Sequence, residues 1–323
     1  MQVRTEKIVV LGTGGTIAGK AGVAGDNVGY VAGQVAVQDL LDAVPGLIAA
    51  AQGPLQVEQV VQIDSKDMAF SVWAALAARC NQLLADPEVR AIVIAHGTDT
   101  LEETAWFLHS VLDTPKPVVL TCAMRPATAI APDGPQNLLD AMAVATAPGA
   151  HGVLVVCAGA IHGARQVQKV HPYRVDAFSS GEAGPRGWIE EGRVRLAQNW
   201  TQDQSGWAQY ALENIAKETP WPQVEIVMSY AGASGTTVDA LVNLGVQGLV
   251  VAATGNGTIH HALEKALERA QSRNVAVRVS TRCALGQVVP RAQASLPYGY
   301  GLSPVKARVA LMLELLGATG VPS

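Results

Sequence analysis

Short apolar runs that end in Gly, Thr or Asp alternate along the chain with longer stretches of helical period, the pattern of βα units wrapped around a mainly parallel sheet. The first run, Ile8 to Leu11, breaks into glycines, and a helix is predicted near Val37 to Val44. Further strands are predicted at Val57 to Ile63, Ala91 to Ala95, Val118 to Thr121 and Gly152 to Cys157. Trp73, Leu76, Cys80 and Leu83 recur at helical spacing and read as one core stripe. From Gln198 to Pro222 the pattern turns polar and irregular and closes on two prolines, which predicts a linker. A second series follows, with strands at Val224 to Met228, Gly248 to Ala252 and Ala276 to Val279, and helices near Thr237 to Leu244, Ile259 to Ala270 and Ser303 to Leu316. The expected organisation is an α/β domain over 1–197 with a mainly parallel sheet and flanking helices, a linker over 198–222, and a smaller, flavodoxin-like α/β domain over 223–323.

Composition narrows the function. With 323 residues, 49% of them apolar and 15% charged, the chain can bury a full core and is not of a disordered class. The net charge of −4 comes without a basic run, so nothing supplies the phosphate-neutralising patch of a nucleic-acid binder. No apolar stretch approaches the roughly 18 to 20 residues of a membrane span, and the opening MQVRTEKIVVLGTGG is too short in apolar residues for a secretory core. A cytoplasmic protein with a small-molecule partner is expected. Cys80, Cys122, Cys157 and Cys283 are scattered without CxxC spacing, and no HExxH occurs, so neither a metal nor a cofactor is expected. Buried free thiols are the reading for the cysteines in apolar patterns.

In open α/β sheets, ligands collect beyond the carboxyl ends of the strands, which directs attention to the loops after Leu11, Ile63 and Ala95. The first reads GTGGTIAGKAG. Gly14 to Lys20 nearly fits a phosphate loop, but Ala21 stands where a Mg²⁺-binding hydroxyl is required. A dinucleotide fingerprint begins with Gly12 and Gly14 and meets Ile17 in place of its third glycine. What remains is Thr16 as a hydroxyl in a bed of backbone donors, suited to attacking a carbonyl whose oxyanion those donors stabilise, or a threonine that only satisfies a local turn. The loop AHGTDTLEETA places Thr98 and Asp99 at a strand tip, with Thr100 and Glu103 as a capping box for the next helix. A threonine is a poor nucleophile without a base, and Lys169 is a candidate for that base.

The segments LGTGGTIAG, HGTDTLEETA, CAMRPATAIAPDGPQNLLDA and ATGNGTIHHAL, in this order, resemble the bacterial L-asparaginase and glutaminase-asparaginase family over essentially the whole chain. The resemblance implies a cofactor-free amidohydrolase acting on L-asparagine, assembled as a homotetramer of intimate dimers. It implies Thr16 as primary nucleophile, Tyr30 as the tyrosine that assists it, and Thr98, Asp99 and Lys169 as a second group that activates a threonine. Ser65 corresponds to the serine that holds the substrate carboxylate, Asp99 also to the grip on the α-ammonium group, and Gly15, Asp64, Gly97 and Asn256 complete the binding set, Asn256 reaching a neighbouring subunit. Read singly, each has an ordinary alternative: Tyr30 as packing, Lys169 as a surface lysine, Ser65 as cap of a helix beginning near Met68, and Asn256 as a turn residue. Arg125 and Asp133 read as structural. The chain departs from the secreted members in carrying Asp64-Ser65-Lys66 where they have Gly-Ser-Gln or Gly-Ser-Glu, in having no acid in PRAQASLPYG to match their partner-subunit glutamate, and in showing no evident pair for the cysteines some of them join. A lysine in contact with the α-ammonium group would repel it.

Overall fold

The structure, a computed structural model, describes residues 6–23, 25–200, 212, 215 and 220–317. The chain divides into two units, Met1–Gln204 and Ser205–Ser323. The segment 198–222, read from the sequence as a linker, lies largely outside the described residues.

The first unit is built on an eight-stranded sheet. Five strands run parallel in the order β4 (Leu55–Ile63), β1 (Lys7–Gly14), β5 (Val89–Ala95), β6 (Pro117–Thr121) and β7 (Gly152–Cys157). In β1, β5, β6 and β7 the residues are apolar almost without interruption because both faces are covered, as in parallel sheets generally, whereas β4 at the edge of the sheet mixes Gln56, Glu58, Gln59 and Gln62 with its apolar residues and buries none of them fully. Ile8 and Val10 of β1 pack with Leu40 and Leu41 of α1 (Val37–Asp42), Leu47 of α2 (Leu47–Ala51) and Leu138 and Met142 of α5 (Gly134–Ala145). The pleat sends Val9 and Leu11 to the other face, where α3 (Phe70–Ala85) and α4 (Leu101–Val111) lie side by side. There Trp73 stacks on Phe107 with centroids 4.9 Å apart, and its indole N–H donates to Thr104 at 2.9 Å. Cys80, part of the predicted stripe, is buried in this layer.

Beyond β7 the sheet continues antiparallel through β8 (Ala160–Gly163), β11 (Gly187–Glu190) and β12 (Arg193–Leu196), an extension the apolar pattern did not indicate. Two-residue turns, Ala158–Gly159 and Glu191–Gly192, all with positive φ, make the β7–β8 and β11–β12 hairpins, the handedness that matches strand twist. Two short antiparallel ladders stand outside the sheet: β2 (Lys20–Ala21) with β3 (Tyr30–Val31), and β9 (Gln168–Lys169) with β10 (Phe178–Ser179).

The second unit holds a three-stranded parallel sheet, β13 (Val224–Met228), β14 (Gly248–Ala253) and β15 (Ala276–Thr281), with helices Thr236–Asn243, His261–Ser272 and Pro304–Leu315. All six elements occupy the predicted stretches to within a few residues at each end. Among the described residues no helix is long and apolar enough to cross a membrane.

In the large sheet the chain passes from β1 outward to β4 and then returns across β1 to β5, so the order reverses at β1. A reversal of this kind opens a crevice at the carboxyl ends of the strands. The tips of β4, β1 and β5 are neighbours there, and each is followed by residues singled out from the sequence.

Candidate active site

Two glycines set the geometry. Gly15 has φ of +82°, and a Cβ built on it would lie 2.2 Å from the Cα of Gly97. The loops after β1 and β5 therefore meet backbone to backbone, a closeness only glycine permits. Each is followed by a threonine, so Thr16 and Thr98 leave the same point of contact, and both are buried. The β1 tip is tied to its neighbours by the Gly15 N–H to the Ile63 carbonyl at 2.8 Å and by the Thr13 hydroxyl to the Ala95 carbonyl at 3.1 Å.

Thr16 opens a short 3₁₀ turn, Thr16–Ala18, and its Oγ1 lies 2.7 Å from the hydroxyl of Tyr30. Tyr30 reaches it because β2 and β3 fold the segment after the turn into a flap. Asp26 accepts the N–H groups of Val28 and Gly29 at the flap's bend, at 2.9 and 2.8 Å. The flap is pinned by the Ala21 N–H to Thr128 Oγ1 at 2.9 Å and by the Ala127 N–H to the Gly19 carbonyl at 3.1 Å.

On the other side, Lys169 Nζ donates to Thr98 Oγ1 at 2.8 Å and to Asp99 Oδ1 at 2.6 Å, while the Thr98 hydroxyl lies 3.4 Å from the same Asp99 oxygen. The lysine side chain is only 18% exposed, so it is not a surface lysine. It is carried by β9, where it pairs with Phe178, and the Val170 N–H to the Ala177 carbonyl at 2.8 Å closes the ladder.

Ser65, 3% exposed, joins the group from the tip of β4: its Oγ accepts the Asp99 N–H at 3.1 Å, and a Cβ on Gly97 would lie 2.4 Å from it. The helix-cap reading of Ser65 is corrected here, for α3 begins at Phe70 behind Ala69. The capping oxygen belongs to Asp64, which accepts from the Lys66 N–H at the head of the turn Ser65–Asp67. The capping box at α4 is corrected too: Thr100 is the N-cap residue, but its hydroxyl makes no cap bond and donates instead to the Ser65 carbonyl at 2.8 Å. The short range therefore loses a cap and the site gains a tie between β4 and β5.

Lys66, the residue that departs from the secreted pattern, bends back to Asp64 at 2.6 Å and to Asp67 at 3.4 Å, with its side chain 62% exposed. The Asp64 carboxylate beside it holds the ammonium above its ordinary value, so the charge is fixed and already paired. Replacing Lys66 with Gln is therefore expected to change KM for an α-amino acid substrate by less than about 3-fold, since exposed ion pairs carry little energy. A KM lowered tenfold in steady-state assays would show that the ammonium reaches the substrate.

Arg125 and Asp133 do hold the loop before α5: Asp133 accepts from the Met124 and Arg125 N–H groups at 2.9 Å each, and Arg125 Nη1 donates to the Ala131 carbonyl at 2.9 Å. Asn256 belongs to the second unit, where its amide clasps Val289, donating to its carbonyl at 3.2 Å and accepting its N–H at 2.6 Å. All the other predicted site residues lie in the first unit.

Two features went unnoticed in the sequence. Cys122 and Cys157, at the ends of β6 and β7, bring their sulfurs to 3.9 Å as buried free thiols, although 35 residues separate them. His96, directly before Gly97, is fully buried, and the only available signal was its place at a strand tip in front of Gly-Thr-Asp. Burial pushes its imidazole down to about 4 from an ordinary 6.5. Above pH 6.5 neither folded nor unfolded chain binds this proton; as pH falls towards 4 only the unfolded chain does, and stability is lost. Urea titrations are expected to show wild type losing about 3 kcal/mol more than His96→Asn between pH 6.5 and 4. A pH-independent difference would mean the imidazole is not held neutral. Among the described residues no group of three or more His, Cys, Asp or Glu side chains is placed to hold a metal ion.

Residues 7–202 match the family model described as Asparaginase, N-terminal, and residues 223–320 match the Glutaminase/Asparaginase C-terminal domain. The chain belongs to the asparaginase family. Its asparaginase relatives include the L-asparaginase 2 of Bacillus subtilis, 39% identical over 95% of this chain and 82% of that one. They include the glutaminase-asparaginase of Pseudomonas fluorescens, 35% identical over 97% and 87%. Among solved structures, the probable cytoplasmic L-asparaginase of Campylobacter jejuni superposes with a TM-score of 0.89 at 37% identity, covering 96% of this chain and 95% of that one.

Proposed function

We propose that this asparaginase hydrolyses the side-chain amide of L-asparagine to L-aspartate and ammonia, with Thr16 as nucleophile and no cofactor. The observation that carries this reading is the meeting of two separately built hydroxyl groups, Thr16 with Tyr30 and Thr98 with Lys169 and Asp99, at the Gly15–Gly97 contact. Attack by Thr16 Oγ1 on the amide carbon requires a path for its proton, which Tyr30 on one side or the Thr98–Lys169–Asp99 group on the other supplies on its way to the departing nitrogen. Water then releases aspartate from the ester. Ser65 and Asp99 provide the hydroxyl and carboxylate that hold the substrate's α-carboxylate and α-ammonium, with Gly15, Asp64 and Gly97 shaping the floor and Asn256 completing it from a neighbouring subunit. The assembly in this reading is a homotetramer, and the compartment the cytoplasm, as named for the Campylobacter relative.

Relatives named for both amides make glutamine the substrate to compare. Steady-state ammonia release from L-asparagine, L-glutamine, D-asparagine and blocked amides tests the reading. The expected result is the highest kcat/KM with L-asparagine. Absence of release from every amide would leave a ligand-binding protein on the same scaffold.

A further inference from the structure

The tips of β6 and β7 hold two thiols at a fixed spacing. Thr121 and Val156 are partners in the parallel ladder, so the residues after them, Cys122 and Cys157, face one another one step on, with backbones about 4.8 Å apart. Two ties fix that spacing. The Thr121 hydroxyl donates to the Val156 carbonyl at 2.9 Å, and Asn137 of α5 spans both tips, its amide N–H donating to the Cys122 carbonyl at 2.8 Å and its side-chain oxygen accepting the Ala158 N–H at 3.0 Å. Backbones at this separation fall in the range that a disulfide bridges, so joining the sulfurs from 3.9 Å calls for side-chain rotation more than for movement of the chain.

The two thiols are not equivalent. Cys122 Sγ donates to Cys157 Sγ, which in turn donates to the Val175 carbonyl at 3.8 Å. The bond to Cys157, together with burial, holds the Cys122 thiol well above its ordinary range. Cys157 adjoins a cavity of about 630 Å³ walled in part by Asn137, Ala158, Gly159 and Val175, roomy enough for a molecule little larger than water. Val175 belongs to the segment between β9 and β10, the ladder that carries Lys169, so the Cys157 S–H is tied to the support of that lysine. Lys169 also lies close enough for its charge to act on the Cys122 thiol.

We propose that Cys122 and Cys157 form a disulfide when hydrogen peroxide enters this cavity, and that the bond slows the enzyme. The inference rests on the amidohydrolase reading above. Cys157 Sγ attacks one peroxide oxygen, the O–O bond breaks, and the other oxygen leaves as water with the thiol proton, giving a sulfenic acid. Cys122 Sγ then attacks that sulfur, the S–O bond breaks, and the departing hydroxide takes the Cys122 proton as a second water. The two thiols lose two electrons and the peroxide gains them. Held at 3.9 Å, Cys122 meets the sulfenic acid at high effective concentration, which offsets its small thiolate fraction. Once Cys157 has no proton, the Val175 carbonyl loses its donor and the ladder under Lys169 loosens. A thiol is a weak donor, so kcat is expected to fall by only about 3- to 5-fold. Cys80, whose thiol burial pushes up to about 12, is not attacked.

The full chain carrying Cys283→Ser, which removes the exposed thiol, is the protein to oxidise. After hydrogen peroxide and cleavage at aspartates, Asp133 among them, peptide mapping without reductant is expected to find the segments holding Cys122 and Cys157 joined. Over the same time course kcat for L-asparagine is expected to fall about 3- to 5-fold with KM within about 3-fold, and dithiothreitol to reverse both changes. Adding Cys157→Ser should abolish the link and the loss of kcat, whereas Cys122→Ser should stop at a sulfenic acid that dimedone traps on Cys157. Both thiols still free to alkylate after unfolding of the peroxide-treated protein would overturn the proposal, even where neither serine variant folds. A disulfide that forms with kcat unchanged would overturn the switch. Failure of the amidohydrolase reading is recognised separately, as a reduced protein that releases no ammonia from any amide while mapping still reports on the disulfide.

Discussion

Thr16→Ala is expected to lower kcat for L-asparagine by roughly 10³- to 10⁵-fold while leaving substrate binding within about 3-fold. The substitution removes the oxygen that the Tyr30 hydroxyl meets and leaves Ser65, Asp99 and the Gly15–Gly97 contact in place. Loss confined to kcat is the mark of an interaction that matters only once bonds are changing; a 10⁴-fold drop corresponds to about 5.5 kcal/mol of barrier. Thr16 is buried, so its methyl group packs as well, and Ala leaves a small gap there. That gap bears on stability and not on the chemistry, which thermal melts separate from rate. Single-turnover ammonia release and calorimetric titration with L-asparagine check both halves. Turnover retained in the Ala variant would move the attack to Thr98.

Much of this was legible in the sequence, for a physical reason. Strands β1, β5, β6 and β7 are covered on both faces, so burial writes them as unbroken apolar runs, and their tips are where glycine and hydroxyl residues interrupt. What was illegible lies where no periodicity operates. Lys169 sits on a two-residue strand and meets Thr98 across 71 positions of chain, a contact that no local pattern encodes. Its residue type made it a candidate base, but its grouping with Thr98 and Asp99 came only from the resemblance to a family. The edge hairpin of β11 and β12 is half exposed and four residues a strand, too short for an alternation to stand out. The readings that failed, Ser65 as a helix cap and Thr100 with Glu103 as a capping box, were local by construction. In both cases a long-range partner took the group: Ser65 Oγ answers the Asp99 N–H, and the Thr100 hydroxyl answers the Ser65 carbonyl. His96 shows the same limit, since a histidine before Gly-Thr-Asp looks like any strand residue until its ring nitrogen is found against a carbonyl.

Lys169→Met should lower kcat by about 10²- to 10⁴-fold, the range for removal of a positioned acid–base group, with a smaller effect on KM. Met keeps the length and apolar stem of lysine, so the partly buried space of the side chain stays filled and the change is one of charge and donors. The Thr98 hydroxyl is then left with Asp99 at 3.4 Å, too long for a strong bond, and the proton path from hydroxyl to carboxylate is cut. Because Thr98, Lys169 and Asp99 touch one another, they are expected to act as one unit. The double variant Thr98→Val with Lys169→Met should thus be no slower than the slower single variant, within about 3-fold. Full additivity in kcat would instead mean that the lysine acts on the substrate through its charge and not through the threonine.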